Sequence, residues 1–169
     1  MLTGVGCAST PGAVPHPFPM PDRHAVAPRS EPEVADTTAA ADVPVANTYP
    51  VVATALKFQG TPYRNGGSDP LGFDCSGFTQ YVFAQHHIPL PREVRDQFKV
   101  GTPVTLKRIA PGDLLFFSTT EPGPSHVAIS LGSDEFVHAP SSTGVVRIDR
   151  LTAEYWSERY LGARRINQP

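Results

Sequence analysis

Cysteine is scarce in this sequence, with only Cys7 and Cys75 among its 169 residues. Cys7 lies in a segment whose composition predicts disorder, so a framework of disulfides is not expected. Cys75 should therefore be a free thiol. It could be a packing residue in the core, a metal ligand or a nucleophile.

Basic clusters and long apolar runs are also missing. The chain has 14 Lys and Arg against 16 Asp and Glu, a formal net charge of -2, and its basic residues are scattered. Nucleic-acid binding needs a concentrated basic surface, so that class is set aside. No apolar run approaches the roughly 18 to 20 residues that span a bilayer, so no transmembrane segment is expected in the chain as given. Attachment to a membrane through a lipid stays open.

Proline divides the chain into two parts. Nine of the 19 prolines fall in the first 50 residues, among scattered Ala, Thr and acidic residues. Such a composition buries too little apolar area to offset the entropy lost on ordering. We predict a disordered Pro-rich tail over residues 1–46 and one folded domain over residues 47–169.

Hydrophobic spacing predicts two helices followed by strands. The first helix is predicted over residues 50–59, and the second begins at Cys75 and places it on one face with Phe78, Val82 and His86. Later segments predict strands at 114–117, 126–131, 135–139 and 144–148, a short helix near 152–156 and a last strand over 159–166. Helices followed by an antiparallel meander indicate the α+β class.

The position of Cys75 suggests chemistry. A helix N-terminus offers its positive dipole end and unpaired N–H groups, which stabilise a thiolate and lower the thiol pKa. A nucleophile of this kind also needs a base, and a histidine on the neighbouring sheet would serve.

Two histidines follow in the predicted strands. If residues 132–134 form a hairpin loop, Leu131 pairs with Glu135, and His126 and His138 lie diagonally on one face of adjacent strands. A loop one residue shorter or longer would place them on opposite faces. The predicted constellation is therefore Cys75 with a base and the residue that orients that base.

Simpler interpretations compete with this one. An inward cysteine often only packs, and a strand histidine often belongs to a core or a surface. A zinc site of Cys75, His126 and His138 would lack a C-x-x-C or H-x-x-x-H spacing, and no metal or cofactor is predicted. His86 and His87, at a helix end, are expected to be solvated or capping residues.

Seven short segments follow one another along the chain: GTPYRNGG (60–67), FDCSGF (73–78), IPLPR (88–92), PGDLLFF (111–117), HVAISLG (126–132), FVHAP (136–140) and YLGARRI (160–166). In this order they resemble the NlpC-type cell-wall peptidases, papain-like cysteine enzymes that cut the stem peptides of peptidoglycan. Together they cover nearly all of residues 48–166. The resemblance implies a papain-like fold, with N-terminal helices packed on an antiparallel sheet.

The resemblance also implies roles for six residues. Cys75 would be the nucleophile, His126 the general base and then acid, and His138 the residue that orients His126. Around them it implies Tyr63 at the oxyanion, with Asp74 and Ser76 contacting the substrate backbone or its amine. Without a substrate role, Tyr63 would be a loop aromatic on the core, and Asp74 would be a helix N-cap.

One position departs from the family pattern. Members commonly carry Ser or Thr two positions after the arginine of LPR, and Val94 stands there in this chain. The usual preference for a stem peptide with a free L-Ala amine is thereby in question. Cleavage of a cross-link, or of the γ-D-Glu to diaminopimelate bond in intact stems, becomes as plausible. The alternatives are an amidase or acyltransferase of the same superfamily, a non-catalytic wall-binding protein, and a secreted toxin with the same chemistry.

The start of the chain, LTGVGCAS, resembles the end of a lipoprotein signal in which Cys7 would carry the lipid. Residues 8–46 would then tether the domain to a membrane. The expected location is the cell envelope on the periplasmic side, as an outer-membrane lipoprotein or a secreted protein. The expected partner is peptidoglycan, and the expected state is a monomer.

Overall fold

The structure, a computed structural model, describes residues 49–167. The tail predicted over residues 1–46, with the lipidation site predicted at Cys7, lies outside the described residues. Every helix found within the described range is too short or too polar to cross a bilayer.

Four helices occur in this range: α1 Tyr49–Leu56, α2 Cys75–Ala84, α3 Val94–Gln97 and α4 Glu154–Ser157. Helix α2 begins where the sequence predicts, because Asp74 has extended backbone and its Oδ1 accepts a 2.7 Å hydrogen bond from Gly77 N. This contact confirms Asp74 as an N-cap. The helix ends before His87, which is exposed and has φ of 61°. His86 is half-buried, with its Nε2 2.9 Å from Thr54 Oγ1 of α1.

The main sheet has six antiparallel strands. In chain order they are β3 Thr102–Val104, β4 Leu114–Phe117, β5 His126–Gly132, β6 Glu135–His138, β7 Arg147–Arg150 and β8 Tyr160–Arg165, and across the sheet they run β3-β8-β4-β5-β6-β7. A two-stranded ribbon, β1 Ser68–Asp69 with β2 Gly72–Phe73, precedes α2, and a 3-10 turn spans Leu106–Arg108. The predicted α+β class is confirmed.

Several predicted boundaries are wrong. The first helix was predicted to residue 59 and ends at Leu56, three residues before Gln59. The strand predicted over 144–148 is β7, which runs instead over Arg147–Arg150. Helix α3 and strand β3 were not predicted, because segments of three or four residues carry too little periodicity to be recognised.

Side chains pack on both faces of the sheet. The helix-facing cluster includes Val51, Phe78, Val82, Phe116, Val127, Ile129 and Val137. The opposite cluster is Leu115, Phe117, Ala128, Phe136, Trp156 and Ala163. All four residues of β4 are buried, since this strand lies inside the sheet with both faces covered.

The hairpin of β5 and β6 fixes the two histidines. Ile129 pairs with Val137 and Ser130 with Phe136, which is the predicted register. The loop differs, because Gly132 pairs with Glu135 and a bulge at Leu131 absorbs the extra residue. The register beyond the bulge keeps the side chains of His126 and His138 on one face, as predicted.

Candidate active site

Cys75 is the first residue of α2; the residue as a whole is half-buried, and its thiol is free. The backbone N–H of Val127, the residue after His126, acts to lower the pKa of this thiol. Two glycines allow the N-terminal end of α2 to lie close to the preceding loop. A Cβ at Gly77 would lie 2.0 Å from Gly67 O, and a Cβ at Gly67 would lie 2.3 Å from Gly72 O. The segments NGG and DCSG therefore need glycine for close backbone approach.

The pKa of Cys75 differs from the sequence expectation. Burial, followed by the Asp74 carboxylate, raises the pKa of this thiol to about 11. Backbone N–H groups of Val127, Ser76 and Cys75 itself act in the lowering direction but are outweighed. The prediction of a lowered thiol pKa is therefore wrong, because desolvation exceeds the stabilisation from the helix end. Cys75 rests as a neutral thiol at pH 7.

His126 and His138 are brought together as the register predicts. His126 Nε2 lies 2.8 Å from His138 Nδ1, and the rings meet edge to face with centroids 5.0 Å apart. His138 is fully buried and His126 is 7% exposed. The predicted proximity of the two side chains is confirmed, while their catalytic roles stay a prediction.

Asp149, on β7, extends this contact across a third strand. Its Oδ2 lies 3.0 Å from His138 Nε2. Sequence reasoning missed it, because the predicted strand ended at residue 148. A signal was present in the alternation of Arg147 and Asp149 in RIDR, which places both on the face that carries His138.

Trp156, on α4, covers the histidine pair. Its ring stacks on His126 at 5.4 Å and meets His138 edge to face at 4.9 Å. Its Nε1–H donates to Asp149 Oδ2 at 3.1 Å. One side chain therefore restrains both imidazoles and the carboxylate.

The titration of this group favours neutral histidines. Burial, then the neighbouring His138, lowers the pKa of His126 to about 3, against the opposing effect of Asp149. Burial also lowers the pKa of His138, although the hydrogen bond and charge of Asp149 oppose the shift. For Asp149, burial acts to raise the pKa, but His138 and Arg147 outweigh it and the net shift is downward. Asp149 is a carboxylate at pH 7.

Tyr63 is half-buried beside Cys75. Burial raises its pKa, and the charges of Cys75 and Asp74 act in the same direction. Its ring packs against the helix-facing core, and its backbone N–H donates to Gly144 O at 2.7 Å. Within residues 49–167 no acceptor lies in hydrogen-bond range of its hydroxyl, which leaves that donor for another group. The oxyanion role stays a prediction.

Asp74 and Ser76 are engaged mainly inside the protein. Arg92, the arginine of LPR, pairs with Asp74 Oδ2, and its Nη1 donates to Ser76 Oγ at 2.7 Å. Ser76 is 4% exposed. These contacts hold the LPR segment against the N-terminal end of α2. A substrate role for Asp74 or Ser76 stays a prediction. Val94, at the departure from the family pattern, is half-buried against the helix-facing core.

No group of three His, Cys, Asp or Glu that could hold a metal ion occurs within residues 49–167. The facing nitrogens of His126 and His138 already bond to each other. A free thiol at the N-terminus of a helix that packs on the two strands carrying a histidine pair is the arrangement expected of a papain-like cysteine hydrolase.

Comparison with known proteins agrees with this class. The model of the NlpC/P60 family matches residues 60–165, and the chain belongs to that family. The gamma-DL-glutamyl hydrolase of Bacillus subtilis (strain 168) is 43% identical over 120 residues, covering 69% of this chain and 29% of that protein. The murein DD-endopeptidase MepS/murein LD-carboxypeptidase of Escherichia coli (strain K12) is 41% identical over 110 residues, covering 64% of this chain and 57% of that protein.

Solved structures give the same result. A crystal structure of a NlpC/P60 family protein from Bacillus cereus superposes with a TM-score of 0.66 at 35% identity, covering 70% of this chain and 39% of that chain. The papain-like fold expected from the sequence is thus confirmed. The chain spans less than two thirds of the length of each of these relatives.

Proposed function

We propose that this protein is a peptidoglycan hydrolase, a cysteine peptidase that cleaves a peptide bond in murein stem peptides or their cross-links. The observation that carries the proposal is the 2.8 Å contact of His126 on β5 with His138 on β6. Helix α2, which begins at Cys75, packs against both strands. The family and the name of one relative, a murein DD-endopeptidase, support peptidoglycan as the substrate.

The neutral state of the site shapes the mechanism. His126 accepts the Cys75 proton as the sulfur attacks the peptide carbonyl, so that thiolate forms only with attack. The oxyanion takes hydrogen bonds from the Tyr63 hydroxyl and the Cys75 backbone N–H. His126 then protonates the leaving amine as the C–N bond breaks. Water, deprotonated by His126, hydrolyses the thioester, and the proton returns to sulfur.

The site is compatible with intact stems. The Asp74 carboxylate already pairs with Arg92 and accepts from Gly77 N, so its capacity to anchor a free substrate amine is reduced. We therefore favour cleavage within intact or cross-linked stems. The protein would act outside the cytoplasmic membrane as a monomer, and Cys7 is proposed as its lipid anchor.

The test is digestion of purified wall sacculi with the full chain, alongside Cys75→Ala and Cys75→Ser, with products identified by mass. We expect new stem-peptide fragments from the wild type and none above background from either variant. Cross-linked dimers converted to monomers would assign the cross-link, and shortened stems would assign the γ-D-Glu to diaminopimelate bond.

Other products would redirect the proposal. Whole stems released from glycan would indicate an amidase, and transfer of the acyl group to an added amine would indicate an acyltransferase. Folded wild type that binds sacculi and releases nothing would indicate a wall-binding protein. Thermal unfolding of each variant serves as the control for folding.

A further inference from the structure

The side chain of Asp149 makes three contacts, and one of them is with His138 of the histidine pair. Its Oδ2 lies 3.0 Å from His138 Nε2 and 3.1 Å from Trp156 Nε1, and its Oδ1 pairs with Arg147. The carboxylate is 17% exposed. A surface ion pair with Arg147 alone would not require this orientation toward a buried histidine.

Strand register explains how the three groups align. His126, His138 and Asp149 occupy the adjacent strands β5, β6 and β7 on one face of the sheet. Asp149 pairs with Phe136, two residues before His138, so its contact with His138 is diagonal. A shift of one residue in β7 would turn Asp149 to the other face.

Asp149 determines which nitrogen of each imidazole carries a proton. A carboxylate only accepts hydrogen bonds, so His138 Nε2 must donate to it. Neutral His138 then has an unprotonated Nδ1, which accepts from His126 Nε2. His126 Nδ1 is left without a proton and is the nitrogen available to take one from Cys75.

We propose that Asp149 is a positioning residue of this site, whose carboxylate fixes the tautomers of His138 and His126 and so presents a proton acceptor to Cys75. The effect on kcat rests on the proposed function. The tautomers can be measured in the resting protein without a substrate. Asp149 also favours the positive charge that His126 acquires during attack, because the negative charge of its carboxylate acts to raise the pKa of His126.

The first measurement needs no substrate. Long-range ¹H–¹⁵N spectra of uniformly labelled full-length protein at pH 7 report which imidazole nitrogens carry protons. We expect His126 and His138 both as Nε2–H tautomers in the wild type. In Asp149→Ala the preference of His138 is lost, and the Nδ1–H form becomes populated. A wild type with His138 protonated at Nδ1 would overturn the proposal without any variant.

The second measurement is kinetic, on a soluble muropeptide that the wild type cleaves. Asp149→Asn and Asp149→Ala should lower kcat about 10- to 100-fold with little change in KM, less than the about 10⁴-fold effect of a carboxylate that contacts the catalytic histidine directly. Asp134→Asn is the matched control. Its carboxylate accepts from Thr152 N at 2.9 Å and from the Thr152 hydroxyl at 2.6 Å, and within residues 49–167 it bonds no histidine.

The outcomes separate the two proposals. Shifted tautomers in Asp149→Ala, with no wild-type activity on any wall substrate, would retain the positioning role and reject the peptidase. Cleavage by the wild type with kcat and tautomers unchanged in Asp149→Ala would reject the positioning role and retain the peptidase. If Asp149→Ala does not fold, the kinetic test rests on Asp149→Asn, because Asn has nearly the same side-chain volume as Asp.

Discussion

His126 Nε2 and His138 Nδ1 lie 2.8 Å apart, a separation that admits one proton between the two rings. Two protonated nitrogens facing each other at this distance would repel. Asp149 already takes the Nε2–H of His138, so protonation of both rings requires the contact to break. The active site should therefore be a source of acid sensitivity in the fold.

We predict that stability falls as the pH is lowered from about 6.5 toward 4. Unfolded His126 takes up a proton near its ordinary pKa of 6.5, whereas folded His126 stays neutral down to about 3. The unfolded state then binds more protons, so each such group lowers the free energy of unfolding by about 1.4 kcal/mol per pH unit. The lowered pKa of His138 acts in the same direction over this range, whereas the lowered pKa of Asp149 adds to the loss only below its ordinary value of 3.8.

Urea denaturation of the full chain at intervals from pH 7 to pH 4 measures this dependence. His126→Gln, which has no group that titrates in this range, should show a shallower slope. A wild-type stability that stays level or rises on acidification would contradict the neutral histidine pair.

We predict that Cys75 has no reactive thiolate at neutral pH. Its pKa is raised to about 11 by burial and by Asp74, so its alkylation rate should rise about tenfold per pH unit between pH 7 and 10. The measurement is the rate of iodoacetamide modification, by mass, in a Cys7→Ser chain that leaves one thiol. Cys75→Ser in that chain is the blank. A rate that is level between pH 5 and 8 would indicate a thiolate–imidazolium pair instead.

The histidine pair was predictable because strand parity depends only on counting. A period of two residues and a loop near Gly132 place His126 and His138 on one face, and the bulge at Leu131 shifts the loop without changing the register between them. The start of α2 was predictable for a similar reason, since Asp74 and Cys75 precede an apolar run with helical spacing.

Two features of the site depend on tertiary packing and could not be predicted. The thiol pKa follows from how deeply Cys75 is desolvated against β5, which no local pattern encodes. The contact of Asp149 with His138 depends on the bounds of β7, which runs over Arg147–Arg150 and not over the predicted residues 144–148. Only pairing of β7 with β6 brings Asp149 to His138.

We predict that Tyr63→Phe lowers kcat about 10- to 1,000-fold with little change in KM, because it removes one donor from the oxyanion and keeps the ring on the core. Tyr81→Phe is the matched control. Tyr81 is also half-buried, and its ring packs on Phe58 and Phe73 at 5.4 and 5.3 Å. Steady-state kinetics on a soluble muropeptide gives both constants. Equal kcat values for Tyr63→Phe and Tyr81→Phe would contradict the proposed role of Tyr63 as a hydrogen-bond donor to the oxyanion.

Gly77→Ala tests whether close packing or helix propensity dominates at the start of α2. Propensity alone predicts stabilisation by about 1 kcal/mol, since Ala is the better helix former. Sterics predicts the opposite, because the new Cβ would lie 2.0 Å from Gly67 O, a backbone atom that also accepts from Asp74 N. A clash with backbone cannot be relieved by a rotamer change, so we expect a loss of about 1–3 kcal/mol.

In Gly77→Ala we expect kcat to fall even where the protein stays folded. Relief of the clash moves the N-terminal end of α2 and carries Cys75 away from Val127. Ala84→Gly is the matched control: it makes the reverse exchange at the exposed last residue of the same helix, where propensity alone predicts a loss of at most about 1 kcal/mol with kcat unchanged. Urea denaturation and kcat are measured for both. Gly77→Ala as stable as the wild type and fully active would mean that the loop over residues 60–67 yields to the added methyl group, and that its contact with α2 does not position the nucleophile.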